Sequence, residues 1–319
     1  LYKTADKVEV EKELAKAVEQ AKGLGVDPET NSKIKELRAR LKTEAVDVAA
    51  LAPLRTESRT DRDGDRPLVI VSHDDAPFYS KPMLSNALFV DLLESVQKTL
   101  RPAGYQTLIG ITHYDPGEEE QLLREQLMHR PAGLLVTGFD HTEATQALMA
   151  RSGVPCVHLM ENSPDEGVYS VGFSQSDAGA DLTRHLIARG KRRIAFAAVQ
   201  MDPRTLQRQA GWRAVMQAEG LFDPTLEWMN PAPSSMALGG LMFGQIMGQT
   251  PPIDAIFFCN DDLAQGALLA ANRMQVAVPQ RVAIVGFNDL RGSDLMLPPL
   301  TTVHTPLDRI GEEGAAMLL

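Results

Sequence analysis

Short unbroken apolar runs that stop abruptly in polar residues recur through most of this chain, and helical patterns fill the intervals between them. Leu68 to Val71, Thr107 to Ile111, Leu134 to Thr137 and Val154 to Leu159 are such runs, followed by Tyr169 to Phe173, Ile194 to Ala198, Ile253 to Cys259 and Val282 to Phe287. A run this short, without polar alternation, is the pattern of a strand buried on both faces. Gln175 to Arg189 and Pro203 to Glu219 read as intervening helices, and Leu263, Gly266, Ala267, Leu269 and Ala270 recur at helical spacing after the seventh run. Such βα alternation specifies an α/β fold of doubly wound parallel sheet. One core rarely grows beyond about 250 to 300 residues, so the strands of this 319-residue chain are expected to divide between two lobes.

Two of the runs end in an amide and a carboxylate, at Asn260-Asp261-Asp262 and at Asn288-Asp289. The carboxyl edge of an open α/β sheet is where ligands sit, and an amide both donates to and accepts from a sugar hydroxyl. Glu161 follows the Val154 to Leu159 run and is placed to accept from hydroxyls. Arg208 lies three residues before Gly211-Trp212 on a helix, and its guanidinium fork suits a carboxylate. His113 and Thr137 stand at neighbouring strand ends. Plainer readings stay open for these residues. Asn and Asp after a strand often cap the next helix, as Asp262 is able to do here. A helix arginine such as Arg208 usually joins a surface ion pair, with Glu219 a candidate partner. Phe89 shares a helical face with Leu92, Leu93 and Val96, so it also reads as core.

A net charge of −10 disfavours general attraction to nucleic acid or acidic membranes, so any DNA contact must come from a local patch. No apolar run approaches bilayer-spanning length, and Leu1-Tyr2-Lys3-Thr4 lacks the apolar core of a secretion signal, which makes the cytoplasm the expected compartment. The histidines form no HExxH or HxH pair, there is no CxxC, and neither a GxSxG elbow nor a Gly-rich phosphate loop occurs. No metal, no cofactor and no enzymatic activity are therefore expected. Cys156 and Cys259 lie in apolar contexts and read as buried thiols rather than a disulfide.

Residues 1–44 differ in pattern, with charged helices read at Val8 to Gly23 and Ser32 to Lys42. Residues 45–66, which include Asp61-Arg62-Asp63-Gly64-Asp65, read as hinge and linker. Residues 67–319 form the expected core, with one lobe at about 67–160 plus 291–319 and the other at about 161–290.

The segments FFCNDDLAQGAL, VPQRVAIVGFNDL and PPLTTVHTPLDRIGEEGAAMLL resemble the C-terminal half of the lactose-repressor (LacI/GalR) family of transcription regulators. The likeness runs from Pro82 to Leu319. Within it, AGYQTLIGITHYDPGEEEQLL, RPAGLLVTGFDHTEATQALM, VGFSQSDAG and HLIARGKRRIAF are most similar to gluconate-operon repressors. The resemblance implies two doubly wound lobes of the periplasmic-binding-protein type behind a small α-helical N-terminal segment. It implies a sugar or sugar-acid effector such as gluconate, a homodimer, and operator DNA controlled allosterically. Carried over residue by residue, it assigns Glu161, Arg208, Asn260 and Asn288 to the effector pocket, with Ser85, Asn86 and Phe89 in a contact segment of the first lobe.

VEQAKGLGVDPETNSKI is similar to the family's helix-turn-helix, which would bring Pro28 to Ile34, with Thr30, into the major groove and Lys33 and Lys35 to phosphates, with Leu51 or Leu54 as a minor-groove wedge from the hinge. The chain departs from the family pattern at Ser72 to Lys81, where SHDDAPFYSK stands between the first strand and PMLSNALF. A sugar sensor or solute-binding protein without DNA-binding activity shares the same core and is the rival reading.

Overall fold

The computed structural model describes residue 16, residues 68–72, residues 87–112 and residues 116–319. The chain divides into the units Leu1–Arg62 and Asp63–Leu319, and the elements below belong to the second. Lys16, in the first, is an exposed helical residue. Apart from Lys16 and Ser72, the expected helices before residue 44, the hinge and the SHDDAPFYSK departure lie outside the described residues.

The first sheet is built from β1 (Leu68–Ser72), β2 (Thr107–Ile111), β3 (Gly133–Thr137), β4 (Cys156–Met160) and β5 (Tyr169–Gly172) in the order β2-β1-β3-β4-β5. Helices α1 (Ala87–Leu100), α2 (Pro116–Leu127) and α3 (Glu143–Ser152) connect its strands. The second sheet runs β10-β9-β8-β6-β7. Its strands are β6 (Ile194–Val199), β7 (Glu227–Asn230), β8 (Ala255–Phe258), β9 (Ala283–Asn288) and β10 (Thr301–His304). With them go α4 (Gln175–Ala188), α5 (Pro203–Ala218), α6 (Met236–Met247) and α7 (Asp261–Arg273). The last helix, α8 (Leu307–Leu318), returns to pack on α1 and β4 of the first lobe. Every strand pair is parallel; most connections carry a helix back across a sheet face, while β4 to β5 and β9 to β10 are joined without one.

These sheet memberships differ from the expected lobe boundaries at two places. β5 pairs with β4 in the first sheet, although it follows residue 161. β10 pairs with β9 in the second sheet, although it follows residue 291. The chain thus leaves the first lobe at Phe173-Ser174, after β5. It touches that lobe's core again at Leu290, comes back at Leu300, and passes over for good at Thr305-Pro306. Trp228 lies in the short strand β7 and packs on the second core.

The second core is aromatic: Phe196, Trp212, Phe257 and Phe287 are fully buried, and Phe196 meets Phe257 edge-on at 5.0 Å between centroids. In the first lobe, Phe89, Leu92, Val96 and Ile310 cover one sheet face, while Leu123, Leu134, Val136 and Met149 cover the other. Cys156 and Cys259 are free thiols, and burial pushes them up to about 12 and about 11.

Glycine sets how closely the second-lobe helices pair. A Cβ on Gly211 would sit 2.0 Å from the Ser176 carbonyl oxygen, and one on Gly179 would sit 2.6 Å from that of Arg208, so α4 and α5 touch backbone to backbone. Gly211→Ala gains helix propensity of about 1 kcal/mol but must push these helices apart, an overpacking that typically costs about 1–3 kcal/mol. A net loss of stability is expected, read as a lower urea midpoint with unchanged slope.

Candidate functional site

The carboxyl ends of β3, β4 and β6 meet across the lobes around a cavity of about 180 Å³. Glu119, Thr137, Gly138, Asp140 and Glu161 line it from the first lobe, and Gln200, Met201, Asp202, Pro203 and Arg204 from the second. β6 ends in a tight bend, with Gln200 at φ 68° and Met201 at φ 56°. Left-handed conformations of this kind are costly for side-chain-bearing residues and cluster at ligand sites. The bend delivers Asp202 to the N-cap of α5, where its carboxylate accepts from the backbone N–H groups of Arg204 and Thr205.

Arg204 follows in the first turn, buried, its Nε 3.6 Å from Asp202 Oδ1 and its guanidinium 5.9 Å from the centre of the Phe89 ring. Across the cavity Glu161 accepts a hydrogen bond from Gln207 Nε2 at 2.8 Å, which ties the lobes together at one rim. Gly138, at φ 71°, leaves the space into which Glu161 folds, since a Cβ there would stand 2.8 Å from Glu161 Oε1. Glu119 is held by His141 Nδ1 at 2.9 Å, with both side chains buried. His158 Nδ1 donates to the Gly138 carbonyl at 2.8 Å and stacks on Phe139. Burial pushes the His158 imidazole below its usual range, which suits a neutral ring donating to a carbonyl.

Burial alone would raise the Asp202 carboxyl, but the charges of Arg204 and Arg208 and the hydrogen bonds from Thr205 outweigh it and hold the group below 3.8. A depressed carboxyl stabilises the fold fully above its unfolded value, and that stability is lost as pH falls below about 3.8. Asp202→Asn keeps a good cap and removes the titration. Its acid unfolding profile is expected to be flatter than wild type below about pH 3.8, measured by circular dichroism.

The residues singled out in the sequence separate into groups. Thr137 and Glu161 line the cavity. Phe89 is core, with Arg204 above its ring. Arg208 and Asn288 come together outside the cavity lining: Arg208 donates from Nε to Gln175 at 2.8 Å, from one terminal nitrogen to the Cys259 carbonyl at 2.6 Å, and from the other to Asn288 Oδ1 at 3.5 Å. Its guanidinium also lies 3.8 Å over Phe287. The surface pair with Glu219 is therefore replaced by a buried network.

Asn260 caps α7, accepting from Leu263 N at 3.1 Å and donating to Ser234 Oγ at 2.9 Å. The cap expected of Asp262 is thus supplied by Asn260, because the helix begins at Asp261. Asp261 instead turns inward and accepts from Leu290 N and from the hydroxyls of Ser293 and Thr302. Ser85, Asn86 and His113, like Thr30, Lys33, Lys35 and Leu54, lie outside the described residues. Among the described residues no group of His, Cys, Asp and Glu is placed to hold a metal, and no helix is long and apolar enough to cross a membrane. Glu119, Asp140, Asp202 and Arg204 were missed by sequence reasoning. The rule that singled out Asn260 and Asn288 reaches Asp202, which closes the bend after β6, but not Arg204, which lies inside the following helix.

Comparison with known proteins bears on this arrangement. Residues 183–319 match the model of a periplasmic binding protein-like domain. The HTH-type transcriptional regulator GntR of Pseudomonas aeruginosa is 48% identical over 238 residues, 75% of this chain and 69% of the relative. The crystal structure of transcription regulator GntR from Chromobacterium violaceum superposes with a TM-score of 0.73 at 45% identity, covering 79% of this chain and 90% of that one. A LacI family transcriptional regulator from Silicibacter pomeroyi superposes with a TM-score of 0.71 at 32% identity and the same coverage. The chain belongs to the LacI family of transcriptional regulators.

Proposed function

We propose that this LacI-family core binds a sugar acid, gluconate being the candidate, in the cavity between the lobes, and that occupancy controls a homodimer's hold on operator DNA. The observation that carries the reading is the placement of Arg204 on a cavity wall otherwise supplied with hydrogen-bond acceptors by Glu119, Thr137, Asp140 and Glu161. A guanidinium takes the carboxylate of a polyol acid, and carboxylates accept from its hydroxyls. The middle of the chain also resembles gluconate-operon repressors, which points to the same ligand. In this reading Arg208, bonded to Asn288, steadies the ionised Asp202 beside Arg204, Asn260 completes the second-lobe rim, and Phe89 backs the guanidinium. Ser85, Asn86 and His113 complete the first-lobe side.

A second copy of the chain is proposed to pair through the outer face of α6 and α7. There Met236, Leu241, Leu269 and Met274 are 40%, 67%, 38% and 51% exposed around one apolar groove. A second copy would cover these apolar side chains, which otherwise face solvent. Two copies would place two N-terminal segments on successive half-sites, with Thr30, Lys33, Lys35 and Leu54 as the contacts. Ligand closes the lobes and favours one of two arrangements of the pair.

The test is an electrophoretic shift with DNA from upstream of the protein's own gene. A shifted band that gluconate removes is expected. Absence of any shift at low salt would instead favour the sensor without DNA-binding activity.

A further inference from the structure

Gln175 stands where the chain first passes between the lobes, directly after Phe173 and Ser174. Its side chain is fully buried, and both ends of its amide are used across the boundary. Nε2 donates to the Met160 carbonyl of the first lobe at 3.2 Å, and Oε1 accepts from Arg208 Nε of the second at 2.8 Å. A carbonyl only accepts and a guanidinium only donates, so these partners fix which way the amide faces.

The groups at each end of this amide matter to different parts of the molecule. Met160 closes β4 at φ 76° and is followed by Glu161 of the cavity wall. Arg208 continues to the Cys259 carbonyl, to Asn288 and to the face of Phe287. Phe287 and Asn288 end β9, where the second passage between lobes begins, and Phe287 stacks on Phe173 of the first passage at 6.2 Å. Asp261 then pins the second passage through Leu290 and Ser293. One amide therefore joins the cavity wall of the first lobe to the end of β9, without lining the cavity itself.

We propose that Gln175 is a positioning residue that transmits a ligand-driven shift of Met160 and Glu161, through Arg208, to the lobe-crossing segment that starts at Asn288. The proposal rests on the cavity being the effector site. Gln175→Glu separates the two halves of the relay: it keeps the acceptor for Arg208 and loses the donor for the Met160 carbonyl. Gln175→Met removes both at similar volume and serves if the buried carboxylate disturbs folding.

Hydrogen–deuterium exchange of the full chain, with and without saturating gluconate, reads the transmission, and calorimetry on the same samples reads binding. In wild type, gluconate is expected to slow exchange about tenfold in both 158–163 and 285–303. In the variants it should still slow 158–163, while the change in 285–303 falls below about twofold. A purely structural role would speed exchange with and without ligand and leave the gluconate-dependent difference intact, and that result overturns the proposal. If wild type binds no gluconate by calorimetry, the sugar-acid reading falls, and this proposal with it. If wild type binds and both segments respond equally in wild type and variants, the relay alone falls.

Discussion

Arg204→Ala is expected to weaken gluconate binding by about 100-fold, measured by isothermal titration calorimetry. Truncating one partner of a buried, hydrogen-bonded charge pair costs about 2–5 kcal/mol, and a factor of 100 corresponds to about 2.7 kcal/mol. The residue is buried and lines the cavity, so water can replace its donors only in part. The comparison that gives this result meaning is a polyol of the same length without the acid group. It should bind wild type weakly and lose almost nothing more in the variant, because the charge it lacks is the charge Arg204 reads. Equal losses for both ligands would assign Arg204 to packing rather than to acid recognition. Arg204→Lys should recover only part of the affinity, since an ammonium offers a point charge in place of the planar fork.

Arg208→Ala is expected to destabilise the fold by about 3–5 kcal/mol, the usual cost of removing one member of a buried charged network. The side chain is 5% exposed. Its loss deprives Gln175 Oε1, the Cys259 carbonyl and Asn288 Oδ1 of a donor, uncovers the Phe287 ring, and withdraws one of the charges that stabilise ionised Asp202. Domains of this kind have about 5–15 kcal/mol to lose, so the urea midpoint should fall steeply. Gluconate should no longer raise the melting temperature of this variant. The two arginines differ in how they fail: Arg204→Ala loses the ligand and lowers the midpoint only through the charge it withdraws from Asp202, whereas Arg208→Ala also leaves three acceptors without their donor and lowers the midpoint further. A variant at 208 with an unchanged midpoint would contradict the network described here.

The strands were legible where an apolar run marks them. Thr107–Ile111 came out as read, and β8 and β9 were placed to within about two residues at each end. The two edge strands of the second sheet were not legible, for a physical reason. Glu227–Asn230 and Thr301–His304 are only partly covered, so their sequences EWMN and TTVH carry no apolar run to mark them. The lobe boundary was misplaced at β5 and β10, because sheet membership depends on long-range pairing that periodicity does not encode.

In the site, the strand-end rule located Glu161 and Thr137 on the cavity wall. It could not tell that Asn260 would spend its carbonyl capping α7, nor that Arg208 would be saturated by backbone and amide partners before meeting any ligand. Arg204 escaped notice because Met201 and Pro203 separate it from the β6 run, so it read as an ordinary first-turn residue of a helix. Only the pairing of β3, β4 and β6 ends across the lobes shows that this turn faces Glu161.

A crystal structure of the protein grown with gluconate tests the central claim most directly. The account predicts the ligand between the lobes, its carboxylate on Arg204 and its hydroxyls on Glu119, Asp140 or Glu161, with Gln175 still bridging Met160 and Arg208. Gluconate bound elsewhere on the molecule, or seated in the cavity with its carboxylate turned away from Arg204 toward the Glu119 and Asp140 wall, would contradict it.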